Sequence, residues 1–357
     1  MKSVSIVIPV YNITSQLERL LVSIEKFSND SLSEVVLVND KPSDTEVESF
    51  LNDAISKLSL NFKYLKNSEN LGFVCTVNRG INEASTESDV LILNSDTEVY
   101  EGFLDNLVEV RKELEDKNLK WGSLTPFSNA ATLASIPVMH EERVEFRGIY
   151  SPESAAKICN ALFHPDELLE VPTGVGFCMF LSREALSSHG AFLEEFSPGY
   201  GEEVEWCLRT NKDGYYHFVV PKIFVFHEGG GSFSDKKQAL IERATKIILQ
   251  RYPDYLERVE AFTNAENSHR YHSRVKPFVS LLEALEDKKI EVLYGTQPDK
   301  GSITIMSFDI EELPLLDLYA GRENIGTFSP ESVKWLLGLM EKIGVLEYSN
   351  DYESLPI

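Results

Sequence analysis

Four short apolar runs, each ending in polar residues and separated by stretches with helical spacing, constrain the first hundred residues more than any other feature. Ser3 to Val10 is β-branched and apolar, closed by Pro9 and Asn12, and reads as a strand buried on both faces. From Ile13 to Phe27, Leu17, Leu20, Leu21 and Ile24 share one stripe, so a helix follows with Thr14 or Ser15 as N-cap. Glu34 to Val38 is a second strand, stopped by Asn39-Asp40-Lys41-Pro42. Val47 to Leu58 then reads as helix, Phe62 to Leu65 as strand, Val74 to Ala84 as helix, Asp89 to Leu93 as strand and Phe103 to Leu114 as helix. Such alternation implies βαβ units, an α/β fold and a mostly parallel, Rossmann-like sheet flanked by helices. Ligands of such a sheet bind beyond the carboxyl ends of its strands. Four polar segments fall there: Val10-Tyr11-Asn12, Val38-Asn39-Asp40, Asn67 to Gly72, and Asn94-Ser95-Asp96-Thr97-Glu98.

The charge balance limits what those segments can hold. With 57 Asp and Glu against 34 Lys and Arg, the formal net charge is −23, a field that repels nucleic acid and an anionic membrane leaflet. An anionic ligand therefore needs local devices: a metal ion, backbone N–H groups or a few placed basic side chains. The four cysteines, Cys75, Cys159, Cys178 and Cys207, lack the close pairs of a zinc site and the density of a disulfide framework, which suits a reduced, intracellular setting. The apolar stretch at the start is too short for a signal peptide, and no run approaches the roughly 20 apolar residues of a membrane span, so a cytoplasmic protein is expected. A length of 357 residues favours two domains or one large domain with an appendage.

Several residues carry chemistry. Asp96 and Glu98 follow a strand on alternate positions, so both can face one opening and bind Mg2+ or Mn2+, which shares its other positions with phosphate oxygens. Asp40 suits hydrogen bonding to a nucleoside. Gly72, before a helix, lets backbone approach a ligand at that helix's N-terminus. There is no P-loop, and Gly174-Val175-Gly176 lies mid-chain instead of opening the first βα turn, so kinase-like and NAD-dependent readings lose ground. After Ser197-Pro198-Gly199-Tyr200-Gly201, the spacing of Val204, Cys207 and Leu208 predicts a helix with Glu202 and Glu203 in its first turn. There the helix dipole favours an ionised carboxylate, as a general base needs. Pro221 to Phe226 reads as a strand, and His227, before Gly229-Gly230-Gly231-Ser232, can complete a metal site beside a loop that folds over the ligand.

Taken in order, these motifs resemble the family-2 glycosyltransferases, the inverting, nucleotide-sugar-dependent enzymes of GT-A fold, especially their bacterial rhamnosyl- and galactofuranosyl-transferase-like branch. The resemblance rests on Ile6 to Asn12, Val38-Asn39-Asp40, Asn70-Leu71-Gly72-Phe73 with Asn78-Arg79-Gly80, Asn94 to Val99, Gly174 to Leu181, Gly201 to Arg209 and His227 to Phe233. It implies that Pro9, Tyr11, Asn12, Asp40, Asn70, Gly72, Asn78, Asn94, Ser95 and Asp96 surround the donor nucleotide. It implies that Asp96 and Glu98 form the metal-binding acidic pair, joined by His227, and that Glu203 is the catalytic base. The family usually has Asp at that last position; the longer Glu alters the reach, and the role can pass to Glu202. Tyr200 and Trp206 are candidates for stacking on acceptor sugars, although an aromatic beside Val204 and Leu208 is more often part of the core. The expected activity is metal-dependent transfer of a sugar from a UDP- or dTDP-sugar to a hydroxyl of a glycan acceptor, lipid-linked or protein-linked, in bacterial surface polysaccharide or glycoprotein glycan synthesis. The acceptor would bring the enzyme to the inner face of the membrane.

Residues 1–260 are expected to form the catalytic domain and residues 261–357 a small α+β accessory region, for oligomerisation or acceptor binding. Lys236 to Tyr252 looks helical, with Ile241, Ile247 and Ile248 inward. Two β-like runs around Gly295 to Gly301 predict a hairpin, and Ser329 to Ile343 a capped helix with Val333, Leu336, Leu337 and Met340 inward. Two rivals stand beside the transferase: a nucleotidyltransferase, whose Gly-rich N-terminal loop with following Arg and Lys is absent here, and a non-catalytic glycan-binding scaffold, favoured by Glu at position 203.

Overall fold

A computed structural model describes residues 3–12, 15–41, 43–140, 144–229, 237–294, 297–298, 301–310 and 313–350. Its elements in chain order begin with β1 (Ser3–Val10), α1 (Ser15–Phe27), β2 (Leu32–Asn39), α2 (Thr45–Lys57), β3 (Phe62–Lys66), α3 (Gly72–Glu83), β4 (Ser88–Leu93), β5 (Thr97–Glu98) and α4 (Phe103–Asp116). There follow β6 (Trp121–Phe127), α5 (Pro152–Leu162), β7 (Leu169–Glu170), β8 (Cys178–Leu181), α6 (Arg183–His189), α7 (Glu202–Asn211), β9 (Tyr216–Phe224), β10 (Phe226–His227), α8 (Lys237–Arg251), α9 (Tyr255–Asn264) and α10 (Glu266–Ala284). The C-terminal part adds β11 (Lys289–Tyr294), β12 (Ser302–Ile310), β13 (Leu313–Ala320), β14 (Glu323–Phe328), α11 (Pro330–Lys342) and β15 (Glu347–Tyr348).

The central sheet has the order β3-β2-β1-β4-β8-β6-β9-β7. Its first four strands are parallel; β8 runs antiparallel to both β4 and β6, and β9 returns parallel to β6. The chain winds outward from β1 to β3 and then re-enters on the other side of β1 as β4. The carboxyl ends of β1 and β4 therefore flank a topological switch point, where a crevice opens in such sheets. Tyr11 and Asn12 are exposed there, and Asn94 to Asp96 stand beside them.

Alternation along β1 explains the layering. Ile6 and Ile8 enter the core shared with α1, α2, α4 and α5, whereas Val7 enters a second core beneath α3, α6, α7 and α8. The buried residues Leu17, Leu20, Leu21 and Ile24 of α1 are those its spacing singled out. Helix α2 gains the N-cap Asp44, whose side chain accepts from the N–H groups of Glu46 and Val47. Asp89, at the start of β4, pairs with Arg111 of α4 at 3.2 Å, both side chains almost wholly buried, and accepts from the Arg183 N–H at the start of α6. One carboxylate thus ties the sheet to a helix on each face.

The C-terminal strands form a second sheet, β14-β13-β12-β11-β15, covered by α10 and α11. Ser329 caps α11, and Val333, Leu336, Leu337 and Met340 are buried as their spacing predicts. The expected hairpin is corrected: β11 and β12 run parallel, and the antiparallel turn falls between β12 and β13. Gly301 stands just before β12 and Gly295 lies outside the described residues; turn chemistry carries no information on the direction in which the chain returns. In α8, Ala244 and Ile248 are buried while Ile241 and Ile247 are half-buried. Among the described residues no helix is long and apolar enough to cross a membrane, and the four cysteines are free.

Candidate active site

Strand β4 ends in a turn, with the Thr97 N–H and hydroxyl both bonded to the Asn94 carbonyl at 3.2 and 2.7 Å. The turn delivers Asp96 to a two-stranded antiparallel ribbon in which β5 pairs with β10, His227 lying opposite Thr97. The His227 ring comes within 3.5 Å of the Asp96 carboxylate through Nε2. Its other nitrogen, Nδ1, lies 2.7 Å from the Ala130 carbonyl; a carbonyl cannot donate, so Nδ1 donates to it and Nε2 is the nitrogen left to face Asp96. The main chain of His227 is held at both its N–H and C=O by the Asn129 side chain, and its ring stacks on Phe177 at 5.1 Å. Burial opposes charge on Asp96, but the adjacent His227 and the backbone around Asp96 and Gly229 bring its carboxyl below the usual range.

Nε2 of His227 and the Asp96 carboxylate thus present a nitrogen and an oxygen to one point, 3.5 Å apart. A carboxylate and an imidazole anchored through its far nitrogen are a fitting donor pair for Mn2+ or Mg2+. Glu98 does not join them. Its carboxylate takes Arg19 Nε at 3.2 Å and borders a cavity of about 700 Å3 between α1 and α5, away from Asp96. The same-face expectation assumed extended backbone from 96 to 98, whereas Asp96 belongs to the turn. Among the described residues no cluster of three or more His, Cys, Asp and Glu side chains forms a complete metal cage.

Helix α7 supplies the second group. Tyr200 and Gly201 both have left-handed backbone, with φ of 75° and 86°. At Gly201 a Cβ would lie 2.8 Å from that of Ala244, so α8 closes directly over the start of α7. Glu202 is 4% exposed, and one oxygen of each carboxylate, Oε2 of Glu202 and Oε2 of Glu203, is buried without a hydrogen bond among the described residues. Burial, then the charge of Glu203, pushes the Glu202 carboxyl well up; burial raises Glu203 too, against backbone hydrogen bonds that favour its charge. Desolvation therefore outweighs the helix dipole that the sequence suggested would keep these acids ionised. The Gly174-Val175-Gly176 segment runs past this point, where a Cβ added to Gly176 would stand 3.9 Å from Glu203, and the next residue is the Phe177 that stacks on His227. Asn94 completes the group: its N–H bonds the Phe177 carbonyl and its Oδ1 is buried without a hydrogen bond among the described residues.

The remaining expected residues separate by placement. Pro9 is half-buried at the end of β1; Tyr11 is 47% exposed, with the Lys41 ammonium 5.4 Å above its ring, and Asn12 accepts from the same ammonium. Ser95 is half-buried in the turn. Tyr200 adjoins the acid pair, which together with burial raises its phenol. Trp206 is corrected: it is fully buried, its indole N–H bonded to the Gly190 carbonyl, and it cannot reach an acceptor. Asn78 is likewise occupied, exchanging hydrogen bonds with the backbone N–H and C=O of Phe192. The space above Gly72 belongs to the protein, since a Cβ there would stand 2.9 Å from Pro198, and Asn70 accepts from the Gly72 N–H. The Asp40 carboxylate points at the same N–H group. Residues 230–233 of the glycine-rich stretch lie outside the described residues. Asn129 and Ala130, which fasten His227, were missed in the sequence, although they follow β6 as polar and small residues just past a buried strand, the same signal that marked the other strand ends.

Comparison with known proteins bears on the fold and on the first third of the chain. Residues 5–121 match the family described as Glycosyl transferase family 2, about a third of the chain. Among curated proteins no sequence matches. Of solved structures, GalNAc-T7 with UDP, GalNAc and Mn2+ is similar at 16% identity and a TM-score of 0.52, over 76% of this chain and 54% of that one. The chain thus spans about half the length of that structure. Mannosyltransferase PcManGT from Pyrobaculum calidifontis, in complex with GDP-Man and Mn2+, is similar at 16% identity and a TM-score of 0.45, over 79% of this chain and 72% of that one. S. aureus TarS 1-349 is similar at 13% identity and a TM-score of 0.45, over 91% of this chain and 99% of that one. At these identities the likeness establishes architecture: a mixed α/β fold of GT-A type, with a large central sheet flanked by helices.

Proposed function

We propose that the chain is an inverting glycosyltransferase that moves a sugar from a nucleoside diphosphate donor to a hydroxyl of a glycan acceptor. The observation that carries this reading is that of two consecutive residues, Gly176 lies beside Glu203, where an added Cβ would come 3.9 Å from that side chain, and Phe177 stacks on His227, so an acid pair and a metal-type pair flank one short segment at the sheet's carboxyl edge. The family match over residues 5–121 supports it, and the similar structure of GalNAc-T7 is described with UDP, GalNAc and Mn2+.

In this reading Asp96 and His227 hold the divalent ion, which supplies charge neutralisation for the departing diphosphate. Tyr11 and Asn12 border the nucleoside at the end of β1. Glu203, part-buried and beside Gly176, takes the proton from the acceptor hydroxyl as that oxygen attacks the anomeric carbon, inverting its configuration. The buried, unbonded oxygens of Asn94, Glu202 and Glu203 are acceptors left for substrate hydroxyls, since orphaned buried acceptors are costly in a finished core. Glu98 and Trp206 have no part in the step. A UDP- or dTDP-linked donor and an acceptor in bacterial surface glycan synthesis remain the finer proposal.

Calorimetry with UDP, dTDP and GDP, with and without Mn2+, is the direct test. Asp96→Ala is expected to abolish both transfer and the Mn2+-dependent part of nucleotide binding. If none of the three nucleotides bound the wild-type protein in Mn2+, the donor site and the reaction assigned to it would be withdrawn.

A further inference from the structure

We propose that Asn129 is a positioning residue for the cation site: its side-chain amide stands in for a third strand of the β5–β10 ribbon and fixes the direction in which His227 points. The inference rests on the reading of Asp96 and His227 as the cation's ligands. The ribbon is two residues long, with Phe226 opposite Glu98 and His227 opposite Thr97, and so short a pairing is marginal by itself. Along an antiparallel pair, residues whose N–H and C=O turn toward the partner strand alternate with residues whose groups turn away. Glu228 turns toward β5, donating its N–H to the Asp96 carbonyl at 3.0 Å, so His227, the residue before it, turns its own N–H and C=O to the other side. There Asn129 Oδ1 accepts from the His227 N–H at 3.0 Å, and Asn129 Nδ2 donates to the His227 carbonyl at 2.9 Å. A primary amide carries a donor and an acceptor side by side, as a peptide group does, and both bonds fall on one residue, the pattern of a hydrogen-bonded strand pair.

Asn129 is itself held. It is 1% exposed, two residues past the end of β6, and its main-chain carbonyl accepts from the Val144 N–H at 2.7 Å. The next residue, Ala130, takes the His227 ring, whose Nδ1 donates to the Ala130 carbonyl at 2.7 Å. One dipeptide therefore sets both the main chain and the ring of His227, while the Phe177 ring, 5.1 Å away between centroids and 20° from parallel, covers one face of the imidazole. Under these restraints Nε2 stands 3.5 Å from the Asp96 carboxylate. Just beyond, the chain reaches Gly229 with a left-handed φ of 68°, so what steadies the end of β10 is the Glu228 bond on one side and Asn129 on the other. Truncating the amide leaves the N–H and C=O of half-buried His227 without these partners and frees β10 to shift. Ligand geometry must hold to within about 0.5 Å, so such a shift is felt first as lost cation affinity.

The test reads Mn2+ binding and folding separately in the full chain. Mn2+ is titrated into wild type, Asp96→Ala, Asn129→Ala and Asn129→Asp, the free ion being followed by its EPR signal, and thermal unfolding is recorded without metal. Asn129→Ala is expected to bind Mn2+ about ten-fold to a hundred-fold more weakly than wild type, the loss that follows removal of a group that orients a metal ligand. Asn129→Asp keeps an acceptor for the His227 N–H but opposes a carboxylate to its C=O; it gives a loss of the same sign and carries the decision should Asn129→Ala fail to fold. At saturating Mn2+, pulsed EPR is expected to show nitrogen modulation from the imidazole in wild type and a weaker one in the Asn129 variants. A merely structural Asn129 would lower the unfolding temperature while leaving Mn2+ affinity within about twofold of wild type and the nitrogen modulation intact, and that result would overturn the proposal. A failure of the underlying reading is seen separately: a wild-type protein that binds no Mn2+, or Asp96→Ala that binds it as tightly as wild type, withdraws the cation site itself.

Discussion

Adjacent carboxylates at one buried helix start cannot both ionise without opposing each other, and burial raises each of them. As a base must be ionised to accept a proton, kcat/KM is expected to fall as pH drops through a value above the ordinary 4.5 of glutamate. Glu203→Gln keeps nucleotide binding and loses transfer by roughly 10²- to 10⁴-fold, measured at saturating donor. Wild-type transfer by that variant would remove Glu203 from the reaction. At this scale the sequence located the acids but not their aim. Asp96 and Glu98 were legible as polar residues past an apolar strand, yet the turn from Asn94 to Thr97 sends one to His227 and the other to Arg19. For Trp206 the spacing on α7 beside Val204 and Leu208 favoured the core over an acceptor surface, and its ring does go inward against Phe192. The freedom of Gly72, legible as glycine before a helix, is used against Pro198, a contact between residues remote in sequence.

Elements were more legible than side chains. In the first hundred residues periodicity located each long strand and helix, because a strand buried on both faces and a one-sided helix leave different spacings. The two-residue strands β5 and β10 left no such trace, and they carry the Asp96–His227 contact. Nor did the parallel pairing of β11 with β12, which depends on tertiary packing. The tie that fixes β4 between α4 and α6 was equally silent, because Asp89 and Arg111 are ordinary surface residue types until the fold buries them. Removing the Asp89 charge takes an ion-pair partner from buried Arg111 and weakens the acceptor of the Arg183 N–H. Asp89→Asn is expected to cost about 3–5 kcal/mol, read as a lower urea midpoint with unchanged slope. A loss below about 1 kcal/mol would show that water reaches Arg111.

Across the whole molecule, α10 joins parts that the sequence divided at residue 260. Its Tyr271 hydroxyl reaches the Leu168 carbonyl, Arg274 bonds Glu167 and the Leu162 carbonyl, and Val275, Phe278, Val279 and Leu282 lie in the same core as β1 and α5. The C-terminal sheet packs against the other end of that helix. A chain ending after Leu285 is therefore expected to unfold cooperatively and bind Mn2+–nucleotide, whereas one ending at residue 260 loses α10 and exposes the face of α5. Thermal unfolding and calorimetry of the two truncated chains check this, and equal behaviour would place the boundary at 260.

The β5–β10 ribbon also sets the order of events during synthesis. Asp96 lies within the stretch that matches the family, but its partner His227 and both glutamates of α7 emerge far later, after β6 and β8 have been made. Closing so long a loop costs entropy that only a completed sheet repays. A nascent chain holding residues 5–121 thus carries the recognisable part of the sequence with half of the proposed cation site and without the proposed base, and the two come together only with the last strands of the sheet.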